Sequence, residues 1–506
     1  MSLASTLAVS LQGISGNVVT VEVDIADGIP SYTLLGLPDT ALSESRDRIR
    51  AALVNCGEVW PHRKVTVSLS PAWLPKSGSS FDLAICIAIV SATVALPEER
   101  LANLVFLGEL ALDGALRSVR GVLPSLIAAY ESGYSTAVVP LANAQEAALM
   151  TEMKIIALPH LRDVLHWMRT GERNEALEID LQWQESSPLL DFCDVAGQPQ
   201  GRIAAEIAAT GGHHLLLIGP PGAGKTMIAE RIPTIMPPLR LSQALEVTSV
   251  HSIAGSLTDR SPLSLVAPIV APHHTATRVA MVGGGAHVIK PGACSLAHHG
   301  VLFIDEAPEC GNGVLDSLRQ PLESGTITIA RNSGNLTLPA RFLLVLAANP
   351  CPCGKFSGRG LSCTCTSVQV RRYLGKLSGP LLDRIDLKVH IDPVGRVDMA
   401  RNLLGESSAV IRERVIAARA IAAARFEGLP WQLNSQIPTR ALRTTFQLER
   451  DAMNFLHDEL DRERITARGL HKISRVAWTL ADLSGHSRPN RSDVEQAYQL
   501  REGTQR

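Results

Sequence analysis

The residues best equipped for chemistry are Gly219-Pro220-Pro221-Gly222-Ala223-Gly224-Lys225-Thr226, which follow the apolar run "HHLLLI" and precede "MIAERI". A strand, a glycine-rich turn and a helix in that order make a phosphate cradle. The glycines let successive backbone N–H groups curl round phosphate oxygens, and the helix start adds the positive end of its dipole. Lys225 is expected on the β- and γ-phosphates of ATP, and Thr226 on Mg²⁺. Further along, "GVLFIDEAPE" carries an apolar run into Asp305-Glu306. A buried parallel strand ending in a carboxylate suits Asp305 as a Mg²⁺ ligand through water, leaving Glu306 to orient or deprotonate the attacking water.

A third apolar run, "RFLLVLAANP", ends in Asn349. An amide there can sense a γ-phosphate, or it can simply cap a strand. Arg384, in "LSGPLLDRIDLKV", lies between Asp383 and Asp386. It reads either as a surface ion pair worth about 0 to 1 kcal/mol or as an arginine finger reaching a neighbouring subunit's γ-phosphate. Its place along the chain favours the finger.

Between these two residues, "NPCPCGKFSGRGLSCTCTSV" gathers Cys351, Cys353, Cys363 and Cys365, four of the nine cysteines, into two C-x-C pairs. In a reducing compartment such a cluster reads as a tetrahedral Zn²⁺ site, with a redox pair or incidental cysteines as alternatives. A metal-stapled loop would fix the path from Asn349 to Arg384, where no hydrophobic core is expected. It should bear on assembly or DNA contact more than on nucleotide binding. Arg371 and Arg372 just beyond could meet DNA phosphates. His273, His274, His298 and His299 form two pairs, but no carboxylate or cysteine completes a set at ligand spacing in the sequence.

These groups need elements to position them. The chain has 506 residues, 45% hydrophobic and 19% charged, which implies a multidomain globular protein. With 48 basic against 49 acidic side chains the formal charge is -1, so no global field draws it to nucleic acid and any DNA contact must be local. The N-terminus lacks the pattern of a signal peptide, and no run reaches the ~20 apolar residues of a membrane helix. A cytoplasmic protein without membrane contact is expected. Residues 1–170 alternate β-branched runs ("VVTVEVDI", "KVTVSLS", "STAVVPLA") with helical stretches, as an α+β domain does. Residues 171–190 read as a linker, 191–395 as the α/β core with the cysteine insertion at 351–365, and 396–506 as an all-helical lid. "SGTITIARNSGNLTLPARF" predicts a hairpin with Arg331 at its tip, a basic group that could grip phosphates, although no aromatic lies beside it for base stacking.

Taken together, Walker A, "VLFIDE", "ANP", "LSGPLLDRIDL" and "ITARGLHKISRVAWTLADL" resemble the magnesium-chelatase-like AAA+ ATPases. "GLPDTALSESRDRIRAAL", "LGELALDGALRSVRGVL", "APHHTATRVAMVGGG" and "PGACSLAHHGVLFIDE" are similar to the ComM/YifB family within them. Ala293 stands where a Glu is expected, a departure with no functional conclusion attached. The resemblance implies a multidomain α/β chain: a Lon-protease-like (ribosomal S5 domain 2-like) α+β domain, a P-loop AAA+ core and a helical lid. It also implies a homo-oligomeric ring, hexameric by expectation, with Asn349 as sensor 1, Arg384 as the trans-acting finger and Arg468 as sensor 2, Arg475 being the fallback. The implied activity is that of a DNA helicase or branch-migration motor acting on single-stranded or branched DNA in recombination of incoming strands.

Two other functions compete. "LSPAWLPKSGSSFDLAICIAIVSA" resembles the Lon-type peptidase, with Ser80 at the nucleophile, but Leu123 falls at the dyad lysine and no lysine lies between Lys76 and Lys154. A serine without its base fails as a catalyst. The other is a magnesium-chelatase ATPase subunit that remodels a partner protein.

Overall fold

The computed structural model describes residues 2–94, 96–172, 190–257, 262–285, 289–311, 313–331, 334–356, 362–393 and 405–502. Strands β1 (Ser2–Gln12) and β2 (Ser15–Ala26) pair antiparallel along their full length. They are followed by β3 (Ser31–Leu35), β4 (Lys64–Ser70), β5 (Leu104–Phe106), the two-residue strands β6 (Glu109–Leu110) and β7 (Leu116–Arg117), β8 (Thr136–Pro140) and β9 (Lys154–Leu158). Seven of these form one mixed sheet in the order β3-β4-β2-β1-β5-β8-β9. The alternation in β2 puts Val19, Val21, Val23 and Ile25 on the buried face, as a period of two requires.

The helix Asp82–Thr93 is buried on nearly every side because "LAICIAIV" is apolar all round, and it packs across β1 and β2 as a core helix. Its one buried charge, Asp82, takes a two-pronged contact from Arg48 at 2.7 and 3.0 Å, yet burial still pushes its carboxyl up to about 6.

A second sheet contains β10 (Leu215–Ile218), β11 (Ile269–Val270), β12 (Val301–Ile304), β15 (Leu343–Ala348) and β16 (Leu387–His390). Its order is β11-β12-β15-β10-β16 and every neighbouring pair is parallel. Every residue of β12 and β15 is buried, the mark of strands covered on both faces. Between β12 and β15 the chain makes the expected hairpin of β13 (Thr326–Arg331) and β14 (Gly334–Pro339), with Arg331 paired to Gly334 across the tip.

Beyond β16 the described residues hold only helices: Ser408–Arg425, Thr439–Thr444, Arg450–Asp461, Ala467–Ser484 and Arg491–Glu502, with a short 3₁₀ turn at Asn434–Gln436. Their apolar stripes do not form a separate core. Ile411, Val415, Phe446, Val476 and Trp478 join one cluster with Leu215, Ile228 and Val345, so the helical part packs on the strand and helix that flank the phosphate loop. The expected linker at 171–190 and the boundary at 395 fall mostly outside the described residues.

The N-terminal sheet domain is fastened to the core at a polar seam. Glu146 accepts from the Leu123 N–H at 2.7 Å and from the Ser252 hydroxyl, while Ser252 accepts from the Gly121 N–H at 2.9 Å. The turn at Gly13, between β1 and β2, lies against Thr337 and Leu336 of β14, so this domain also touches the base of the hairpin.

Candidate nucleotide site

The phosphate loop leaves β10 at Ile218 and enters the helix Lys225–Ile235 through Gly224. Gly222 and Gly224 have φ of +75° and +89°, and a Cβ at either would meet nothing within 4 Å. The backbone therefore turns there in a conformation that L side chains rarely adopt, around open space.

Lys225 is buried, and its amine donates to Gly219 O at 2.6 Å, Pro220 O at 2.9 Å and Asn349 Oδ1 at 3.2 Å. Burial draws that amine below its usual value, against the pull of Asp305 and Glu306. The Thr226 hydroxyl donates to Asp305 Oδ2 at 2.8 Å. The other oxygen of Asp305 accepts from the backbone N–H of Glu306 at 2.8 Å, which orients the carboxylate. Lys225, Thr226, Asp305, Glu306 and Asn349 are thus brought to one place by β10, β12 and β15, which lie side by side.

Glu306 sits in the left-handed region at φ +48° and faces His274, whose Nδ1 is 3.3 Å from Glu306 Oε2. That contact was invisible in the sequence. "APHHTA" draws attention through its histidines, but nothing in its spacing points to a carboxylate on another strand.

Arg384 is held elsewhere, by Glu323 and by Pro380 O at 2.7 Å. Arg468, an exposed side chain, pairs with Asp383 at 2.7 Å, and Lys472 on the same helix donates to Arg384 O at 2.8 Å and Asp386 Oδ1 at 2.5 Å. Asp386, though burial would raise it, is held well below the usual carboxylate range by Lys472 and His213. Arg475 donates to Ile437 O at 2.8 Å. One helix of the lid therefore grips the turn that carries Arg384, and that turn opens on a cavity of about 640 Å³ shared with Arg341, Lys472 and Arg475.

The four cysteines converge. Cys351 Sγ lies 3.4 Å from Cys353 and 3.6 Å from Cys363, Cys353 lies 3.7 Å from Cys363, and all four sulfurs are within 4.8 Å of one another. The amide of Lys355, the Cys351 thiol and the amide of Thr364 draw the Cys353 thiol down to about 6, while the thiols of Cys363 and Cys365 are raised, because the backbone amides that lower them are outweighed by burial and the neighbouring sulfurs. The expectation that no hydrophobic core supports this stretch is corrected: Tyr373, Leu377, Leu381 and Ile385 are all buried, and the last three belong to the core under β12 and β15.

The histidine expectation is corrected as well. Glu246, on the helix Leu241–Ala254, completes a cluster with His298 and His299, its Oε2 lying 3.0 Å from both Nε2 atoms. No local motif links Glu246 to the two histidines, which lie about fifty residues further along the chain. The cluster is better read as a hydrogen-bonded trio. His298 Nδ1 accepts from the Arg341 N–H at 3.0 Å, so its proton sits on Nε2 and is donated to Glu246, leaving no lone pair for a metal.

A parallel sheet with a glycine-rich loop, a buried lysine and a hydroxyl–carboxylate pair at its strand ends defines an ATPase-type domain. Family models agree: "Magnesium chelatase, subunit ChlI" matches residues 191–399, "Subunit ChlI of Mg-chelatase" residues 21–143, and "Magnesium chelatase, subunit ChlI C-terminal" residues 405–501. Full-length relatives narrow this further. An uncharacterized protein of Mycobacterium tuberculosis is 45% identical over 99% of both chains. The YifB protein of Escherichia coli is 39% identical over 99% of this chain and 97% of its own. The competence protein ComM of Haemophilus influenzae is 39% identical over 96% of this chain and 94% of its own. The chain belongs to the ComM/YifB family of magnesium-chelatase-like proteins. No helix among the described residues is long and apolar enough to cross a membrane.

Proposed function

We propose that this chain is an AAA+ ATPase that assembles into a homo-oligomeric ring, a hexamer, and moves single-stranded or branched DNA in the cytoplasm. The observation that carries the ATPase reading is the convergence on Lys225 and Thr226 of Asn349 and Asp305 from two other strands. The groups present fit a magnesium nucleotide: the backbone amides of Gly222 and Gly224, which follow the two prolines of the loop, with the Lys225 ammonium, the Thr226 hydroxyl and the Asp305 carboxylate. Mg²⁺ would be held by Thr226 and, through water, by Asp305, and would supply charge neutralisation at the phosphates. Glu306 accepts the proton of the attacking water, and His274 holds its carboxylate in place. Asn349 senses the γ-phosphate. Arg468 and Lys472 of the lid helix meet the turn that carries Arg384, so Arg384 serves a neighbouring subunit as the finger and the lid helix reports its position. The four cysteines hold a structural Zn²⁺.

The DNA reading is supported by the β13–β14 hairpin, with Arg331 in its tip, and by full-length likeness to a competence protein. Residues 1–170 serve as a Lon-like domain for assembly or binding. Lys76, the lysine nearest Ser80, is buried and donates to Leu69 O and Pro71 O, and Leu123 is a core residue, so peptide cleavage lacks its base. A second reading, an ATPase subunit that remodels a chelatase partner, is favoured by the three chelatase family matches. Displacement of a labelled strand from forked DNA tests the choice. ATP-dependent displacement is expected. Its absence from assembled rings, with stimulation by a chelatase partner instead, would favour the second reading.

A further inference from the structure

The four-cysteine cluster does not stand apart from the nucleotide site. Cys351 is fully buried two residues beyond Asn349, whose side chain accepts from the Lys225 amine at 3.2 Å. The next turn closes with the Gly354 N–H donating to Cys351 O at 3.0 Å. Gly354 has φ of +73°, and a Cβ there would lie 2.7 and 2.8 Å from Cδ and Cγ of Pro221, so this backbone is pressed against the second proline of the phosphate loop. The cysteine turn therefore meets the phosphate loop twice, through a hydrogen bond at Asn349 and through van der Waals contact at Gly354.

The sulfur spacing says what holds the turn in that place. A disulfide would bring two sulfurs to about 2.05 Å, whereas sulfurs at the corners of a tetrahedron round Zn²⁺, each about 2.3 Å from the metal, stand about 3.8 Å apart. The three separations among Cys351, Cys353 and Cys363, 3.4 to 3.7 Å, approach the second value. Ordering a loop to bring four thiols together costs conformational entropy that weak S–H···S contacts cannot offset, and a metal can.

We propose that the metal-held cysteine turn braces the phosphate loop, so that occupancy of the Cys351–Cys353–Cys363–Cys365 site sets the affinity for nucleotide. Each thiol gives up its proton as it ligates, and Zn²⁺ fixes Gly354 against Pro221, which keeps the loop amides in their converging arrangement. Without the metal the turn relaxes, Pro221 loses its backing, and Asn349 is freed from the Lys225 amine. This extends the nucleotide-site reading and rests on it, and it differs from the expectation that the cluster bears on assembly or DNA contact more than on nucleotide binding.

The test uses the full chain, purified without a histidine tag under reducing conditions. Zinc content is measured by elemental analysis, and ADP affinity by calorimetry in magnesium-free buffer, before and after a zinc-selective chelator. About one zinc per chain is expected, with an affinity loss of about tenfold on stripping and recovery when Zn²⁺ is returned. The Gly354→Ala variant, which keeps all four thiols, should retain zinc and still bind ADP more weakly. Four reactive thiols with no uptake of Zn²⁺ or Cd²⁺ would overturn the metal site. Full zinc with an ADP affinity unchanged by chelation and by Gly354→Ala would overturn the brace. A zinc-loaded chain that never binds ADP would overturn the brace together with the nucleotide reading, and that failure is recognised because metal uptake is measured separately.

Discussion

Lys225 is held by three oxygens and Thr226 by one carboxylate, and each partner makes a separate prediction. Lys225→Ala removes the ammonium that β10's loop presents to the phosphates and is expected to abolish nucleotide binding. Glu306→Gln keeps the cradle, so binding should persist while turnover falls by about 10² to 10⁴. Equilibrium binding of a fluorescent nucleotide beside a phosphate-release assay separates the two, and wild-type turnover in Glu306→Gln would remove its assigned role. His214 and His298 make a pH prediction. Burial holds both near 4, each with Nδ1 accepting from a backbone N–H, that of Leu344 and Arg341 respectively. His214 faces Asp386, Lys472 and His213, while His298 faces His299, Glu246 and Arg341. The unfolded chain titrates these rings near 6.5 and so binds more protons than the fold between about 6.5 and 4. Stability should therefore fall as pH drops through that window, by on the order of 3 kcal/mol per ring. Thermal midpoints should be lower at pH of about 5 than at about 7.5, and His298→Gln should flatten the slope. At this scale the phosphate loop was legible because strand, turn and helix are contiguous. The pairing of Lys225 with Asn349, of Glu306 with His274 and of Glu246 with two histidines was not, because each joins residues from different elements.

The helix Ala467–Ser484 is amphipathic, and it meets the turn of Asp383, Arg384 and Asp386 through the exposed Arg468 and the largely buried Lys472. Sequence reading supplied both ends of this contact without joining them. Arg384 itself is tied to Glu323 and Pro380 within its own protomer, contacts that its guanidinium must release to reach another subunit. Arg384→Ala should bind ATP and fail to turn it over. Mixing it with Lys225→Ala protein should restore activity, because some mixed interfaces then pair an intact cradle with an intact finger. Turnover measured in assemblies shown to be mixed checks this, and no recovery there would contradict a trans finger. Elements with strong local signals were legible: the apolar runs that became β10, β12 and β15, and the two β-type runs that became β13 and β14. The core that carries Leu377, Leu381 and Ile385 beneath the cysteine stretch was missed, because these residues are interrupted by glycine, serine and proline and show no clean period.

The molecule joins a mixed-sheet N-terminal domain, a parallel-sheet nucleotide domain and a helical lid through shared surfaces, among them one core under the lid and the Glu146–Ser252 seam at the other end. Glu146 is buried with its carboxyl raised by desolvation, and what makes it tolerable is the Ser252 hydroxyl and the Leu123 and Asn143 donors that meet it. The N-terminal turn at Gly13 rests on β14, so the hairpin that rises from the nucleotide domain is also backed by the N-terminal domain. None of these contacts could be read from the chain, since each depends on how domains pack and not on any local pattern. They serve the central claim, that nucleotide turnover is coupled to DNA. The direct measurement is the steady-state ATPase rate of assembled protein with no DNA, with single-stranded DNA and with branched DNA. A rate raised several-fold by DNA is expected, absent in Lys225→Ala and diminished in Arg331→Ala. A rate that no DNA changes, in rings that bind and hydrolyse ATP, would contradict it.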